Sequence, residues 1–258
     1  MTRWVRYDHA GATGFGILGD DATITPFTGD MFADPAPAGT AFALSDATLL
    51  TPTTPSKMLA LWNNFKALSA KLGTEHPPHP LYFIKAPNSY LATGEVIRRP
   101  AGYDGKVVYE GELGIVVGKR ARGISEAEAE AHIFGYTCIN DITAADLLKA
   151  DPSFDQWTRA KSFDGFGVFG PCVVTGLDPA QLIIRTVLNG AERQNYPASD
   201  MILNPRQVVS MLSHDLTLEP GDVICCGTSL GVGSMKEPIN TVEINIDGIG
   251  SLTNVYEN

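Results

Sequence analysis

The segment Val107-Val108-Tyr109-Glu110-Gly111-Glu112-Leu113-Gly114-Ile115-Val116-Val117 constrains this chain most. Its composition is that of a strand, and a strand has a side-chain period of two, so Glu110 and Glu112 are expected on one face with Tyr109, Gly111 and Leu113 on the other. Same-face neighbours on one strand sit about 7 Å apart at Cα, close enough to share a cation. In a partly buried place without one, keeping both ionised is costly. The alternative is a solvent-facing polar edge. A third carboxylate favours the first reading: Asp141 ends the apolar run Tyr136-Thr137-Cys138-Ile139-Asn140, where the chain turns into Ile142. Three oxygen ligands, with no histidine or thiolate at metal spacing, suit a hard ion such as Mg²⁺ or Mn²⁺ better than Zn²⁺.

The rest of the chain reads as strand-rich α+β without the regular βαβ alternation of a doubly wound sheet. Residues 1–55 place Gly11, Gly14, Gly16, Gly19, Gly29 and Gly39 between short apolar runs and end at Thr51-Pro52-Thr53-Thr54-Pro55. They are expected to form a small β-rich N-terminal domain, with the main domain spanning residues 56–258. Met58, Leu61, Trp62, Phe65, Leu68 and Leu72 follow helical spacing, which predicts one amphipathic helix with Ser56 as N-cap and Gly73 as C-cap. Leu81 to Lys85 reads as a strand. Ser125 with Glu128 forms a capping box opening a helix to about Phe134. Leu182 to Leu188 predicts a strand returned by the type I′ signature Asn189-Gly190, and Asn204-Pro205 opens a further helix. Val223 to Cys226, Thr241 to Ile246 and Leu252 to Tyr256 complete the strands.

Composition narrows the function. Nineteen basic against twenty-nine acidic residues give a formal charge of −10, which disfavours binding to nucleic acid or to an anionic membrane. No apolar stretch is long enough to span a membrane, and the N-terminus lacks a signal-peptide core, so a cytoplasmic protein is expected. Cys138, Cys172, Cys225 and Cys226 show no CxxC spacing and are expected to be reduced and buried.

Five segments then occur in order: Tyr109-Glu110-Gly111-Glu112-Leu113-Gly114, Asn140-Asp141-Ile142-Thr143-Ala144-Ala145-Asp146, Ala160-Lys161-Ser162-Phe163-Asp164, Glu219-Pro220-Gly221-Asp222 and Gly227-Thr228-Ser229-Leu230-Gly231-Val232-Gly233. Together they resemble the fumarylacetoacetate hydrolase family. The resemblance implies a mixed rolled β-sheet, commonly in a homodimer, and a divalent cation held by Glu110, Glu112 and Asp141. It also implies 2-oxo or β-diketo acid substrates. Lys161 matches the family lysine that points into the site, and Gly227-Thr228 matches a loop that contacts the substrate carboxylate. Lys85 resembles the lysine of the family's FxKP segment, with Ala86 in place of proline. Arg159, two residues before Lys161, is a second candidate carboxylate partner by its bidentate geometry.

One departure bears on the reaction. The family's hydrolases carry an NYxxHxxE segment whose histidine and glutamate activate water. Matching Asn64-Phe65 to NY puts Leu68 and Lys71 at those two places, and no histidine lies between His9 and His76. Losing a general base costs about 10²–10⁴ in rate. A metal-bound enolate needs no attacking water, so isomerisation or decarboxylation in aromatic catabolism is the favoured expectation, with Lys161, Glu110 and Asp141 as catalytic residues. Two alternatives stay open: a carbon–carbon bond hydrolase with a non-standard base, for which His76 and His79 in the proline-rich loop are candidates, and a catalytically silent binder of metal and oxo acid.

Overall fold

The computed structural model describes all residues 1–258. Three sheets carry the fold, with thirteen, five and three strands. In the large sheet the central order is Thr2–His9, Gly167–Thr175, Ile133–Asp141, Gly111–Val117, Val223–Cys225, Met58–Trp62 and Leu81–Lys85. The N-terminal strands continue this sheet, because Thr2–His9 pairs antiparallel with Gly167–Thr175. The mixture of antiparallel and parallel pairs, the latter between Val223–Cys225 and Met58–Trp62, matches the expected mixed α+β class.

The five-stranded sheet, built on the long hairpin of Ile239–Ile246 and Gly250–Glu257, packs against one face of the central strands. Leu113, Ile115, Ile184, Val242, Ile244 and Leu252 fill the space between the two sheets. On the opposite face Met58, Ala60, Val116, Ile139, Phe169 and Val223 form a second apolar cluster. The strand Gly111–Val117 is therefore covered on both sides and buried along its whole length, which explains why it reads as a near-continuous apolar run. No helix is long and apolar enough to cross a membrane. All four cysteines are free and buried, as expected.

The predicted Met58 to Leu72 helix divides. Met58–Trp62 is a strand held between Val223–Cys225 and Leu81–Lys85, and only Lys66–Leu72 is helical. Met58, Leu59 and Ala60 are fully buried. A strand buried on both faces puts apolar residues at every position, and part of such a run also satisfies a helical period. Ser56 caps no helix: its hydroxyl donates to Asp222 Oδ1 at 2.7 Å. Gly73 does close the helix, in the left-handed region at φ 66°. The Ser125–Glu128 capping box is present, but its helix covers only Glu126–Ala129 before a 3₁₀ turn, and Phe134 belongs to the next strand. Asn189 and Gly190 have φ of 51° and 77°, as a type I′ turn requires. Asn204 caps Pro205–Asp215 by accepting from Arg206 N and Gln207 N. The helix Trp157–Lys161 was not anticipated and carries Lys161.

Candidate active site

Adjacent strands bring the three carboxylates together. Gly111 pairs with Asn140 and Glu112 with Ile139, so Asp141, one step beyond, falls beside Glu110, whose carbonyl accepts from Asp141 N at 2.9 Å. Glu110 itself lies at a break: Val107–Tyr109 belongs to the small sheet and Gly111–Val117 to the large one. The chain changes sheet at this residue, yet the carboxylates still converge. One oxygen from each of Glu110, Glu112 and Asp141 lies within 4.8 Å of the others.

Two buried lysines answer this charge. Lys161 Nζ donates to Asp141 Oδ2 at 2.6 Å and to Glu110 Oε1 at 2.7 Å. Lys85 is wholly buried and pairs with Asp141 Oδ1. Burial works against the Lys161 ammonium, but Asp141, Glu110 and Glu112 outweigh it and raise its pKa. Burial lowers the Lys85 pKa, with Asp141 offsetting part of the effect. For Asp141 burial favours the neutral form, yet Lys161 and Lys85 overcome it and hold the carboxyl below its ordinary value. Glu112 goes the other way: burial, then Asp141 and Glu110, push it well above the usual carboxylate range.

Glu112 tests whether the cluster suits a cation. Its Oε2 accepts from Gly227 N at 2.8 Å, while Oε1 is buried without any partner. An unpartnered buried carboxylate oxygen is expensive, and the Glu112 carboxylate belongs to a cluster with two others. An all-oxygen donor set of this kind fits a hard divalent cation.

A wider network fixes the ligands. Thr143 Oγ1 donates to Glu110 Oε1 at 2.6 Å, and Glu110 N donates to Asn140 Oδ1. Gln194, which the sequence did not single out, is buried with Oε1 accepting from Gly111 N at 3.0 Å and from Thr186 Oγ1, while Nε2 donates to Thr228 Oγ1 at 2.9 Å. It thereby ties the segment between the two glutamates to the Gly227-Thr228 loop, and Thr228 Oγ1 donates in turn to Gly111 O at 3.0 Å. Only glycine fits at 111, since a Cβ there would collide with Thr186 Oγ1. Gln194 lies in a polar strand eighty residues from the motif, and no spacing signal marks it. Asp222 of the Glu-Pro-Gly-Asp segment is fully buried and binds Ser56, Lys57 and Glu219 N, a knot between chain segments rather than part of the cluster.

Beside the cluster is a cavity of about 110 Å³ walled by Glu110, Lys161, Thr228, Asn63 and seven apolar side chains, among them Leu68 and Trp157. Leu68, matched to the family histidine, thus faces this cavity, whereas Lys71, His76 and His79 are exposed and do not line it. Of the expected substrate-binding residues, Thr228 reaches the cavity and Gly227 holds Glu112. Lys85 is committed to Asp141 and is not among the lining residues. Arg159 is exposed on an adjoining groove that shares Phe83 and Trp157 with the cavity.

The Fumarylacetoacetate (FAA) hydrolase C-terminal profile matches residues 57–256, and the Rv2993c-like N-terminal profile matches residues 2–52. Protein Rv2993c of Mycobacterium tuberculosis is 38% identical over 93% of this chain and 90% of its own. Oxaloacetate tautomerase YisK of Bacillus subtilis is 36% identical over 83% of this chain and 74% of its own. The crystal structure of 2-hydroxyhepta-2,4-diene-1,7-dioate isomerase from Mycobacterium marinum superposes with a TM-score of 0.90 at 35% identity, covering 100% of this chain and 98% of that one. The chain belongs to the fumarylacetoacetate hydrolase family.

Proposed function

We propose that this protein is an isomerase- or decarboxylase-type enzyme that converts a 2-oxo or β-diketo acid through its enolate, without carbon–carbon bond hydrolysis. Glu110, Glu112 and Asp141 would hold the cation, Mg²⁺ or Mn²⁺. When bound, such an ion supplies Lewis-acid polarisation of a 2-oxo group. The observation that carries the reading is the pairing of this cluster with Leu68: a site equipped for enolate chemistry presents an aliphatic side chain where a water-activating base would stand.

The protein's own groups divide the remaining work. Lys161 fixes Glu110 and Asp141 relative to one another and adds positive charge at the cavity wall, 5.4 Å from the Phe83 ring centroid. Glu110 is the one carboxylate of the three that lines the cavity, so it is the group positioned to accept a proton from C3 of the substrate. The Thr228 hydroxyl lines the same wall and is oriented by Gln194. Leu61, Trp62 and Leu68 keep bulk water from the reacting carbon. The tautomerase and isomerase names of the two relatives support the same class of reaction.

The test is product analysis with a 2,4-diketo acid and Mg²⁺. A change in ultraviolet absorbance without fragments is expected and, with a 2-oxo acid that bears a C4 carboxylate, loss of carbon dioxide alone. Release of pyruvate with a second carboxylic acid would establish hydrolysis instead.

A further inference from the structure

We propose that the substrate carries a single carboxylate and ends in an apolar tail, aryl in preference to a second acid. The inference rests on the reading of the site as one for 2-oxo acids and, because loss of carbon dioxide through the enolate needs a second carboxylate, selects the isomerase side of that reading.

The walls of the cavity set the chemistry. Leu61, Trp62, Leu68, Phe83, Leu148 and Trp157 surround its polar end, and Lys161 is its only cationic lining residue. That ammonium is already shared between Glu110 and Asp141, and the neighbouring Lys85 is spent on Asp141. A second carboxylate entering this space would be desolvated with no counter-ion of its own, an arrangement that binding sites avoid. The first carboxylate has the cluster end of the cavity, where Thr228 stands.

The tail has a route outward. The cavity of about 110 Å³ accommodates the head of a 2-oxo acid, and it shares Phe83 and Trp157 with a groove of about 870 Å³ that also contains Tyr82, Pro152 and Phe154. Phe83 and Trp157 stack with centroids 5.4 Å apart, and Trp62 meets Trp157 edge to face at 6.0 Å. Phe154, on the same groove, is 71% exposed. An aromatic tail laid against these rings gains both apolar burial and ring contacts. Arg159 lies on the groove and not in the cavity, so a diacid short enough to fit the cavity does not reach it.

Two unreactive ligands with the same oxamate head separate the possibilities: oxanilate, a monoacid with a phenyl tail, and N-oxalylglycine, a diacid. Binding is measured by calorimetry on the full-length protein with Mg²⁺. Oxanilate is expected to bind about tenfold or more tighter, a difference of ~1.4 kcal/mol. Leu148→Arg, which puts a guanidinium into the half-exposed wall, is expected to reverse the order, and Trp157→Ala to weaken oxanilate while leaving N-oxalylglycine unchanged. Tighter binding of N-oxalylglycine by the unmodified protein, or an order indifferent to both substitutions, overturns the proposal, as does failure of both ligands to bind. Preference for oxanilate in a protein that turns over no oxo acid upholds the tail assignment and removes the enzymatic reading instead.

Discussion

Glu112 accepts a hydrogen bond from Gly227 N at 2.8 Å through one carboxylate oxygen and leaves the other buried and unpaired. The glycine loop thus aims Glu112 at Glu110 and Asp141 while satisfying half of its needs. Titration with Mn²⁺ or Mg²⁺ should raise the melting temperature, with a stabilisation of about 2.7 kcal/mol at a hundredfold excess over Kd. Glu112→Gln should abolish the rise. A melting temperature indifferent to both ions would remove the metal site.

Lys85 is as buried as Asp141, and each is the other's charge partner. Breaking a buried pair costs roughly 3–5 kcal/mol when the other member is left wholly unpaired; Asp141 keeps Lys161 at 2.6 Å, so a loss of about 1–3 kcal/mol for one orphaned carboxylate oxygen is expected. Lys85→Met should therefore lower urea stability by that order even with no ligand present. A loss below about 1 kcal/mol would show that Asp141 finds other compensation.

Gln194 acts at a distance from the cation. Gln194→Ala leaves the Gly111 amide and the Thr228 hydroxyl short of a partner, so stability should fall by about 1–3 kcal/mol. Divalent-ion affinity should fall about 10–100-fold, as for other residues that orient ligands. Calorimetric affinity unchanged in this variant would confine Gln194 to a structural part.

The alkaline limb of stability follows from groups away from the site. Burial raises the Cys172 thiol to about 12, and burial, with Cys225 nearby, raises the Tyr90 phenol to about 12. The folded chain keeps these groups neutral while the unfolded chain ionises them near their ordinary values of 9.0 and 10.0. Their contribution is complete below pH 9 and is lost as the pH rises toward 12. Urea midpoints should decline between pH 9 and 11, less steeply in Cys172→Ala; a flat profile over that interval would contradict the assignment.

What could be read from the chain alone depended on the range of the interactions involved. The three carboxylates were legible because their spacing and a strand end are local facts, although Glu110 sits at a change of sheet and not within a continuous strand; the capping residues Asn204 and Gly73 announced themselves locally too. Met58–Trp62 was misassigned because its burial comes from strands at 81–85 and 223–225, and neither partner is visible within the segment. Lys85 and Gln194 show the same limit from the functional side. The pairing of the first with Asp141 and the bridging role of the second carry no motif, since both rest on contacts across many tens of residues. Leu68, by contrast, needed only its place in the sequence to be noticed and the fold to show that it faces the cavity.

The most direct test of the central claim is hydrogen–deuterium exchange at C3 of a 2-oxo acid, followed by NMR in D₂O with Mg²⁺. The account predicts enzyme-accelerated exchange without carbon–carbon fragmentation, reduced at least about 10²-fold in Glu110→Gln and abolished by a chelator. Exchange that persists at full rate after chelation and in that variant would contradict it.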